Sequence, residues 1–91
     1  MKATLIDEKD NVAVVLGAVK AGEEITWFRA GVPCSATALR DVPIYHKIAA
    51  APIAKGTPVI KYGEHIGIAA EDIAMGDYVH VHNVLNNREA L

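Results

Sequence analysis

The segment His80-Val81-His82-Asn83 contains the residue types best suited to chemistry. In an extended strand, residues two apart point to the same face, so His80 and His82 are predicted to lie side by side, about 6.6 Å apart along the strand. Two neutral imidazoles at this spacing can share a divalent metal ion or bind one anionic substrate. The alternative is a pair of solvated histidines, because a metal site needs further ligands that the sequence does not locate.

Two further groups of polar residues could reach a bound acid. His46-Lys47 combines an imidazole with an ammonium, which is a natural counter-ion for a carboxylate. Lys61-Tyr62-Gly63 offers a second ammonium and a phenol at a predicted turn. On spacing alone, ordinary surface residues and a turn requirement also explain these groups. Adjacent strand residues such as His46 and Lys47 face opposite sides.

The elements that must position these residues are short strands. Apolar runs are brief and are broken repeatedly by Gly and Pro, which predicts an all-β fold despite the many alanines. The predicted strands cover residues 12–16, 25–29, 46–50, 59–61, 65–69 and 78–82, with a hairpin turn at Tyr62-Gly63. We also expect one or two helical turns, one of them over residues 35–40, where Ser35 could cap it and Pro43 would stop it.

Three segments share a weak internal repeat. In residues 19–25, 53–59 and 73–79, an aliphatic residue is followed three places later by Gly and, three places after that, by another aliphatic residue. This pattern indicates a bend that anchors an apolar side chain, reverses at the glycine and enters a strand. Because the spacing between copies is unequal, a solenoid is excluded.

Composition excludes several classes of protein. The chain has 91 residues and a net charge of −2, and its nine Lys and Arg residues are dispersed, so a nucleic-acid-binding surface is not expected. Cys34 is the single cysteine, which excludes an internal disulfide and favours a cytoplasmic location. The first residues lack the apolar run of a signal peptide or a membrane span. A domain of this size has too few residues to enclose a substrate, so we expect any catalytic cleft to be shared with another chain.

The ordered set of these motifs resembles the N-terminal SAF-type domain of the altronate and galactarate dehydratase family. The resemblance covers residues 10–83 of a single domain spanning residues 1–91, with residues 84–91 as a polar tail. Tyr45 stands where family members often have a glycine. The motifs that carry the resemblance are Asp10-Asn11-Val12-Ala13-Val14, Lys20-Ala21-Gly22, His46-Lys47-Ile48-Ala49, Ile53-Ala54-Lys55-Gly56, Val59-Ile60-Lys61-Tyr62-Gly63-Glu64, Ile66-Gly67, Asp72-Ile73, Gly76 and Val79-His80-Val81-His82-Asn83.

The resemblance implies a fold, a reaction and a set of site residues. It implies a small β-clip domain that works with a large catalytic subunit, removes water from acidic sugars, and is associated with Fe²⁺ or Mn²⁺ held mainly by the large subunit. It assigns catalytic roles to His80 and His82, with metal binding as their alternative role. Substrate-binding roles fall on His46, Lys47, Lys61, Tyr62, Gly63 and Asn83.

Other functions remain open at this point. The family is related to the alpha subunit of sulfolactate sulfo-lyase, which eliminates sulfite, and SAF-type domains also occur as non-catalytic binding modules. A stand-alone metalloprotein using His80 and His82 is a further alternative. The resemblance does not choose between altronate, galactarate and sulfolactate, and it leaves self-association open.

Overall fold

The computed structural model describes residues 1–88, and over that range the regular structure consists of β-strands alone. No helix long and apolar enough to cross a membrane occurs in this range. The all-β prediction is therefore confirmed. The strands are β1 (Ala3–Thr4), β2 (Val12–Val15), β3 (Glu24–Arg29), β4 (Val32–Thr37), β5 (Lys47–Ala49), β6 (Pro58–Lys61), β7 (Glu64–Ala69), β8 (Tyr78–Val79) and β9 (Val84–Leu85).

A central antiparallel sheet with the order β1-β2-β5-β8 separates two hydrophobic cores. Successive residues of a strand point to opposite faces, and both faces of this sheet are buried, which explains the unbroken apolar run of β2. The β3–β4 hairpin covers core 1, and the three-stranded sheet β6-β7-β9 covers core 2. Core 1 contains Ala3, Ala13, Val15, Val19, Ile25, Trp27, Ala38, Val42, Ile48 and Ala50. Core 2 contains Val12, Ala49, Ile53, Val59, Ile66, Ala69, Ile73, Val79 and Val84.

Four loops with one shared hydrogen-bonding pattern lead into the strands. In each, the N–H of the fifth residue donates to the C=O of the second, and the N–H of the fourth donates to a carbonyl of a neighbouring segment. The first residues pair through isolated antiparallel bridges, Val19 with Val42 and Ile53 with Ile73. We number them loop 1 (residues 19–23), loop 2 (42–46), loop 3 (53–57) and loop 4 (73–77).

Loop 2 escaped the sequence pattern because its fourth residue is Tyr45. That position takes a left-handed backbone in every loop, with φ of 88° at Gly22, 84° at Gly56, 90° at Gly76 and 66° at Tyr45. Glycine adopts this conformation without strain, whereas a residue with a Cβ is disfavoured there by roughly 1–2 kcal/mol. The hydrogen-bonding frame therefore imposes the conformation on Tyr45, whose side chain is 62% exposed.

The predicted helical turn over residues 35–40 is wrong, because β4 extends through Thr37 and occupies the first half of this segment. A two-residue turn at Ala30 (φ 48°) and Gly31 (φ 79°) folds β4 back onto β3. Such left-handed pairs match the twist of a hairpin. Cys34 and Ala36 then pack against core 1, and this burial together with the strand pairing outweighs the weak local preference for a helix. The other predicted hairpin turn, at Tyr62-Gly63, is confirmed.

Residues 84–91 do not begin as a polar tail. Val84–Leu85 forms β9, which pairs with Ile68 and Ala69 of β7, and Val84 is buried in core 2. Gly67 permits this approach, since a Cβ at that position would collide with a methyl group of Val84. Residues 89–91 of the predicted tail lie outside the described residues.

Two polar residues, the buried Asp10 and the partly buried Asn11, tie the central sheet to the β6–β7 hairpin. The carboxylate of Asp10, 1% exposed, accepts hydrogen bonds from the N–H groups of Asp7 (3.0 Å) and Gly63 (2.8 Å). The side-chain oxygen of Asn11 accepts one from Ile60 N–H (2.7 Å). These hydrogen bonds stabilise the junction between the two layers.

Candidate functional site

The register of the central sheet places His46 next to His80. Ile48 of β5 lies opposite Tyr78 of β8 in an antiparallel pair. Continuing the ladder two residues back along one strand and two residues on along the other places His46 opposite His80. Their ring centroids are 4.9 Å apart. Two histidines 34 positions apart in the sequence therefore become direct neighbours.

Tyr78 is the centre of this site, and sequence analysis did not identify it. Its ring stacks on His80 at 5.4 Å with an interplanar angle of 9°, and it contacts His82 at 5.5 Å and 50°. Its hydroxyl lies 2.6 Å from Nδ1 of His46. The period-two rule, which we applied to His80 and His82, applies equally to Tyr78 and His80 and could have found this residue. We call His46, Tyr78, His80 and His82 the imidazole cluster.

The predicted strand over residues 78–82 is too long, because β8 ends at Val79. The side chain of Asn83 ends it: Oδ1 accepts from His80 N–H at 2.9 Å, and Nδ2 donates to the C=O of Tyr78 at 2.8 Å. Asn83 is 1% exposed, so its amide is occupied by the backbone. The structure thus gives Asn83 the role of holding the turn that follows Tyr78.

Because of this turn, His82 joins the site from a turn and not from the strand. Val81, which a continued strand would bury, is 65% exposed. His82 lies in the turn rather than two places along a strand from His80. Both imidazoles nevertheless contact the ring of Tyr78, which is therefore what joins them.

His46 differs from the residues that occupy its position in the other loops. In loop 3, Thr57 donates its hydroxyl to Ala54 C=O at 2.6 Å within the loop. In loop 4, Asp77 accepts from the N–H of Tyr78, and in loop 1, Glu23 accepts from a loop N–H. Asp77 and Glu23 also form ion pairs outside their loops, with Arg40 and with the N-terminal ammonium. His46 is instead hydrogen-bonded to the phenol of Tyr78, on the adjacent strand.

The lysines of the predicted site lie on the other side of the central sheet. Lys47 is 3% exposed and lies opposite Val79, a residue of core 2, so strand alternation places it on the face away from His46. Lys61 ends β6 in the layer that covers core 2, with its ammonium 5.0 Å from the ring centroid of Tyr62. The binding roles predicted for Lys47, Lys61 and Tyr62 stay predictions.

Gly63 has a structural explanation. Its φ of 74° is required by the hairpin turn, and its N–H donates to the buried Asp10 carboxylate. A Cβ at this position would lie 3.1 Å from a carboxylate oxygen of Asp7. The glycine is therefore needed to close the junction between layers, whatever else it contacts.

The imidazole cluster is suited to hydrogen bonding and proton transfer. Partial burial raises the pKa of Tyr78 above its ordinary value, so the phenol keeps its proton at neutral pH. Imidazole titrates near neutrality and can donate or accept a proton there. Three imidazoles around one neutral phenol can therefore bind a carboxylate or an oxyanion, or move a proton at a reacting carbon or oxygen.

A metal ion fits this arrangement less well. Within residues 1–88 no group of three or more His, Cys, Asp or Glu side chains has the geometry to hold a metal ion. Nδ1 of His46 is also engaged with Tyr78. A divalent ion at His80 and His82 would therefore need ligands from elsewhere, and the described residues alone do not form the site.

Comparison with known proteins decides the family. The model of the altronate/galactarate dehydratase SAF domain matches residues 1–87. The chain belongs to this family. The SAF domain is 44% identical over 87 residues to altronate dehydratase of Escherichia coli and 33% identical over 82 residues to altronate dehydratase of Bacillus subtilis. These matches cover 96% and 90% of the chain.

The lengths of the relatives differ greatly. The SAF domain corresponds to 17% of the E. coli protein and 16% of the B. subtilis protein. It is also 38% identical to the alpha subunit of (2R)-sulfolactate sulfo-lyase of Chromohalobacter salexigens, where the match covers 90% of the chain and 88% of the relative. The same domain thus occurs both as a small part of a long chain and as nearly the whole of a short subunit.

Proposed function

We propose that this SAF domain forms one side of the substrate cleft of a sugar-acid dehydratase and works with a larger catalytic polypeptide. The observation that carries the proposal is the imidazole cluster, which places three imidazoles and a phenol together at the end of the β5–β8 pair. Family membership supplies the class of reaction. A small acidic sugar such as altronate or galactarate is the expected substrate.

The cluster suits one part of such a reaction. Eliminating water from a sugar acid removes a proton beside the carboxylate and expels the hydroxyl on the next carbon. Negative charge accumulates on the carboxylate during proton removal, and hydrogen-bond donors directed at that charge stabilise the transition state. His46, His80 and His82 would supply such donors or transfer the proton to the departing hydroxyl.

The larger polypeptide would supply the remaining groups. Ligand sites typically occupy about 300–1,000 Å³ and bury most of their ligand, and a domain this small would leave a sugar acid exposed to water. Since the described residues do not gather three metal ligands, Fe²⁺ or Mn²⁺ would be held mainly by the partner. The lone Cys34 is free and is compatible with a cytoplasmic enzyme.

A second candidate is the alpha subunit of a sulfo-lyase. It is favoured by coverage, since the match spans 88% of the sulfolactate sulfo-lyase alpha subunit. The same cluster would bind a substrate that carries a sulfonate as well as a carboxylate. The elimination would then release sulfite instead of water.

Reconstitution with the larger polypeptide tests both candidates. The domain would be assayed with altronate, galactarate and sulfolactate, with Fe²⁺ or Mn²⁺, in the presence and absence of the partner. We expect turnover only with the partner, and the preferred acid identifies the reaction. Robust turnover by the isolated domain would contradict the shared cleft.

Single variants then test the cluster. His46→Ala, His80→Ala and His82→Ala should each lower kcat of the reconstituted enzyme by roughly 10²-fold or more if the imidazole acts in proton transfer. His65→Ala is the matched control, because His65 is an exposed histidine on β7 outside the cluster. Equal activity of the three cluster variants and the control would refute the site.

A further inference from the structure

The contact between His46 and Tyr78 determines which nitrogen of the His46 ring carries the proton, as well as where that ring lies. Nδ1 and the phenolic oxygen are 2.6 Å apart, which is a short hydrogen bond. A neutral imidazole carries its proton on one nitrogen only, and a phenol carries one proton. The bond therefore has two arrangements: either the phenol donates to Nδ1, or an Nδ1–H group donates to the phenol oxygen.

The surroundings favour donation by the phenol. Tyr78 is partly buried, and within residues 1–88 its hydroxyl makes no other side-chain or backbone hydrogen bond. If Nδ1 carried the proton, the phenolic proton would have no acceptor among these residues. Donation to Nδ1 satisfies both groups with one bond, and hydroxyl groups in partly buried positions are normally satisfied in this way.

The phenol is also held in place from both sides. Its ring stacks on His80 and is packed against core 1, and its backbone N–H is bonded to Asp77 at 2.8 Å. The hydroxyl therefore cannot follow the imidazole if that ring rotates. Groups that fix the tautomer of a functional histidine through its second nitrogen are common in enzyme sites.

We infer that Tyr78 is a positioning residue that fixes His46 as the Nε2–H tautomer, so that the cluster meets an acidic ligand with a hydrogen-bond donor. Nε2–H of His46 then donates a hydrogen bond to the carboxylate. Because the Nδ1 lone pair already accepts from the phenol, a different group must act as the base. The identity of the ligand rests on the proposed function, whereas the tautomer is a property of the isolated domain. The proton-abstracting base is accordingly expected outside His46.

The tautomer can be read directly by NMR. The domain would be labelled with ¹⁵N-histidine and long-range ¹H–¹⁵N spectra recorded at about pH 9, where imidazole is neutral. We expect His46 to show an unprotonated Nδ1 and a protonated Nε2. In Tyr78→Phe, which keeps the ring and removes only the hydroxyl, the two nitrogens should move toward the averaged shifts of a tautomer mixture.

Controls separate this role from a general structural one. His65 lies outside the cluster, so its nitrogens should be unchanged in Tyr78→Phe, and the thermal midpoint of the variant confirms that it is folded. A protonated Nδ1 on His46 in the unmodified domain would overturn the inference. Unchanged His46 shifts in folded Tyr78→Phe would overturn it as well.

A titration with tartrate, a small hydroxy-acid probe, separates this inference from the proposed function. Perturbation of His46 and His80 by tartrate, weakened up to about twofold in Tyr78→Phe because only part of the His46 population then presents Nε2–H, would support both. A fixed Nε2–H tautomer with no response to tartrate would support the positioning role and count against the acid-binding site. A tartrate response unchanged in Tyr78→Phe would count against the positioning role alone.

Discussion

Loops 2 and 4 lead into the two strands next to the imidazole cluster, and they place different residues at the position that requires a left-handed backbone. Both need a left-handed fourth residue, which is Tyr45 in loop 2 and Gly76 in loop 4. Gly76 is buried, and a Cβ there would collide with the backbone oxygen of Thr37. Tyr45 projects into solvent. Where the left-handed position is packed, only glycine fits; where it is open, a side chain is tolerated at the cost of strain.

Gly76→Ala should give the largest effect, because it combines the left-handed strain with overpacking. Together these predict a loss of about 3 kcal/mol or more of unfolding free energy. Gly56→Ala is the matched control, since Gly56 has the same φ region but nothing within 4 Å of an added Cβ. It should lose only roughly 1 kcal/mol. Urea unfolding measures both, and equal losses would remove the distinction between packed and open positions.

Asn83→Ala tests why β8, the strand that follows loop 4, ends after two residues. Loop 4 leads into a strand of only two residues, which the buried Asn83 amide ends by bonding to Tyr78 and His80. Removing that amide leaves buried backbone groups without partners and should lower the unfolding free energy by about 2 kcal/mol. It should also weaken the stacking of His80 on Tyr78.

The chemical shifts of the His80 ring report the second effect. If Asn83→Ala lost about 2 kcal/mol of unfolding free energy and the His80 shifts were unchanged, the turn would not be what orients this histidine. Asn87→Ala is a convenient comparison, because Asn87 lies beyond β9 and outside the turn.

Tyr45→Gly should raise the unfolding free energy, whereas Gly76→Ala and Gly56→Ala should lower it. It removes the left-handed strain from loop 2 and loses little burial, because the side chain is mostly exposed. The greater entropy of glycine in the unfolded chain offsets part of the gain, leaving a stabilisation of about 0.5–1 kcal/mol. The midpoint of urea unfolding should rise, and a fall would show that the Tyr45 side chain contributes packing that outweighs its strain.

The smallest effects are on the pH dependence of stability, and the first concerns the contact of Asp41 with loop 1. Asp41 accepts a hydrogen bond from Ala21 N–H, and this bond, with the nearby Lys20 ammonium, lowers its pKa from 3.8. A lowered folded-state pKa stabilises the fold above the unfolded value, and that stability is lost as pH falls through the folded value. Asp41→Asn should therefore flatten the pH dependence of unfolding below about pH 4. An unchanged acid limb would contradict this assignment.

Ionisation of Tyr78 changes stability in the opposite direction, lowering it as pH rises. Because burial raises its pKa above 10.0, the folded state binds the phenolic proton more tightly than the unfolded chain. Stability should fall as pH rises above that unfolded value. Tyr78→Phe should lack this alkaline loss, and unfolding curves above about pH 10 would reveal it.

Local patterns in the sequence were sufficient for much of the fold. The alternation and turn residues around Tyr62-Gly63 predicted that hairpin because the turn conformation depends mainly on its own two residues. The Gly spacing found three of the four loops for the same reason. The resemblance over residues 10–83 identified the family, which the match over residues 1–87 confirms.

Other features depended on distant contacts. The strands β4 and β9 are stabilised by pairing with β3 and β7, and this pairing is not evident from the local residues. Tyr45 adopts the left-handed conformation because Val15 accepts its N–H, so no local glycine marked loop 2.

For the candidate site, the sequence alone determined which imidazoles were available, since His46, His80 and His82 all belong to motifs visible in it. Only the tertiary structure decided how they meet. The β5–β8 register sets His46 against His80, and the Asn83 turn returns His82 to Tyr78. Register and turn geometry arise from pairing and burial between segments far apart in the chain, and a period-two rule within one strand contains no information about either.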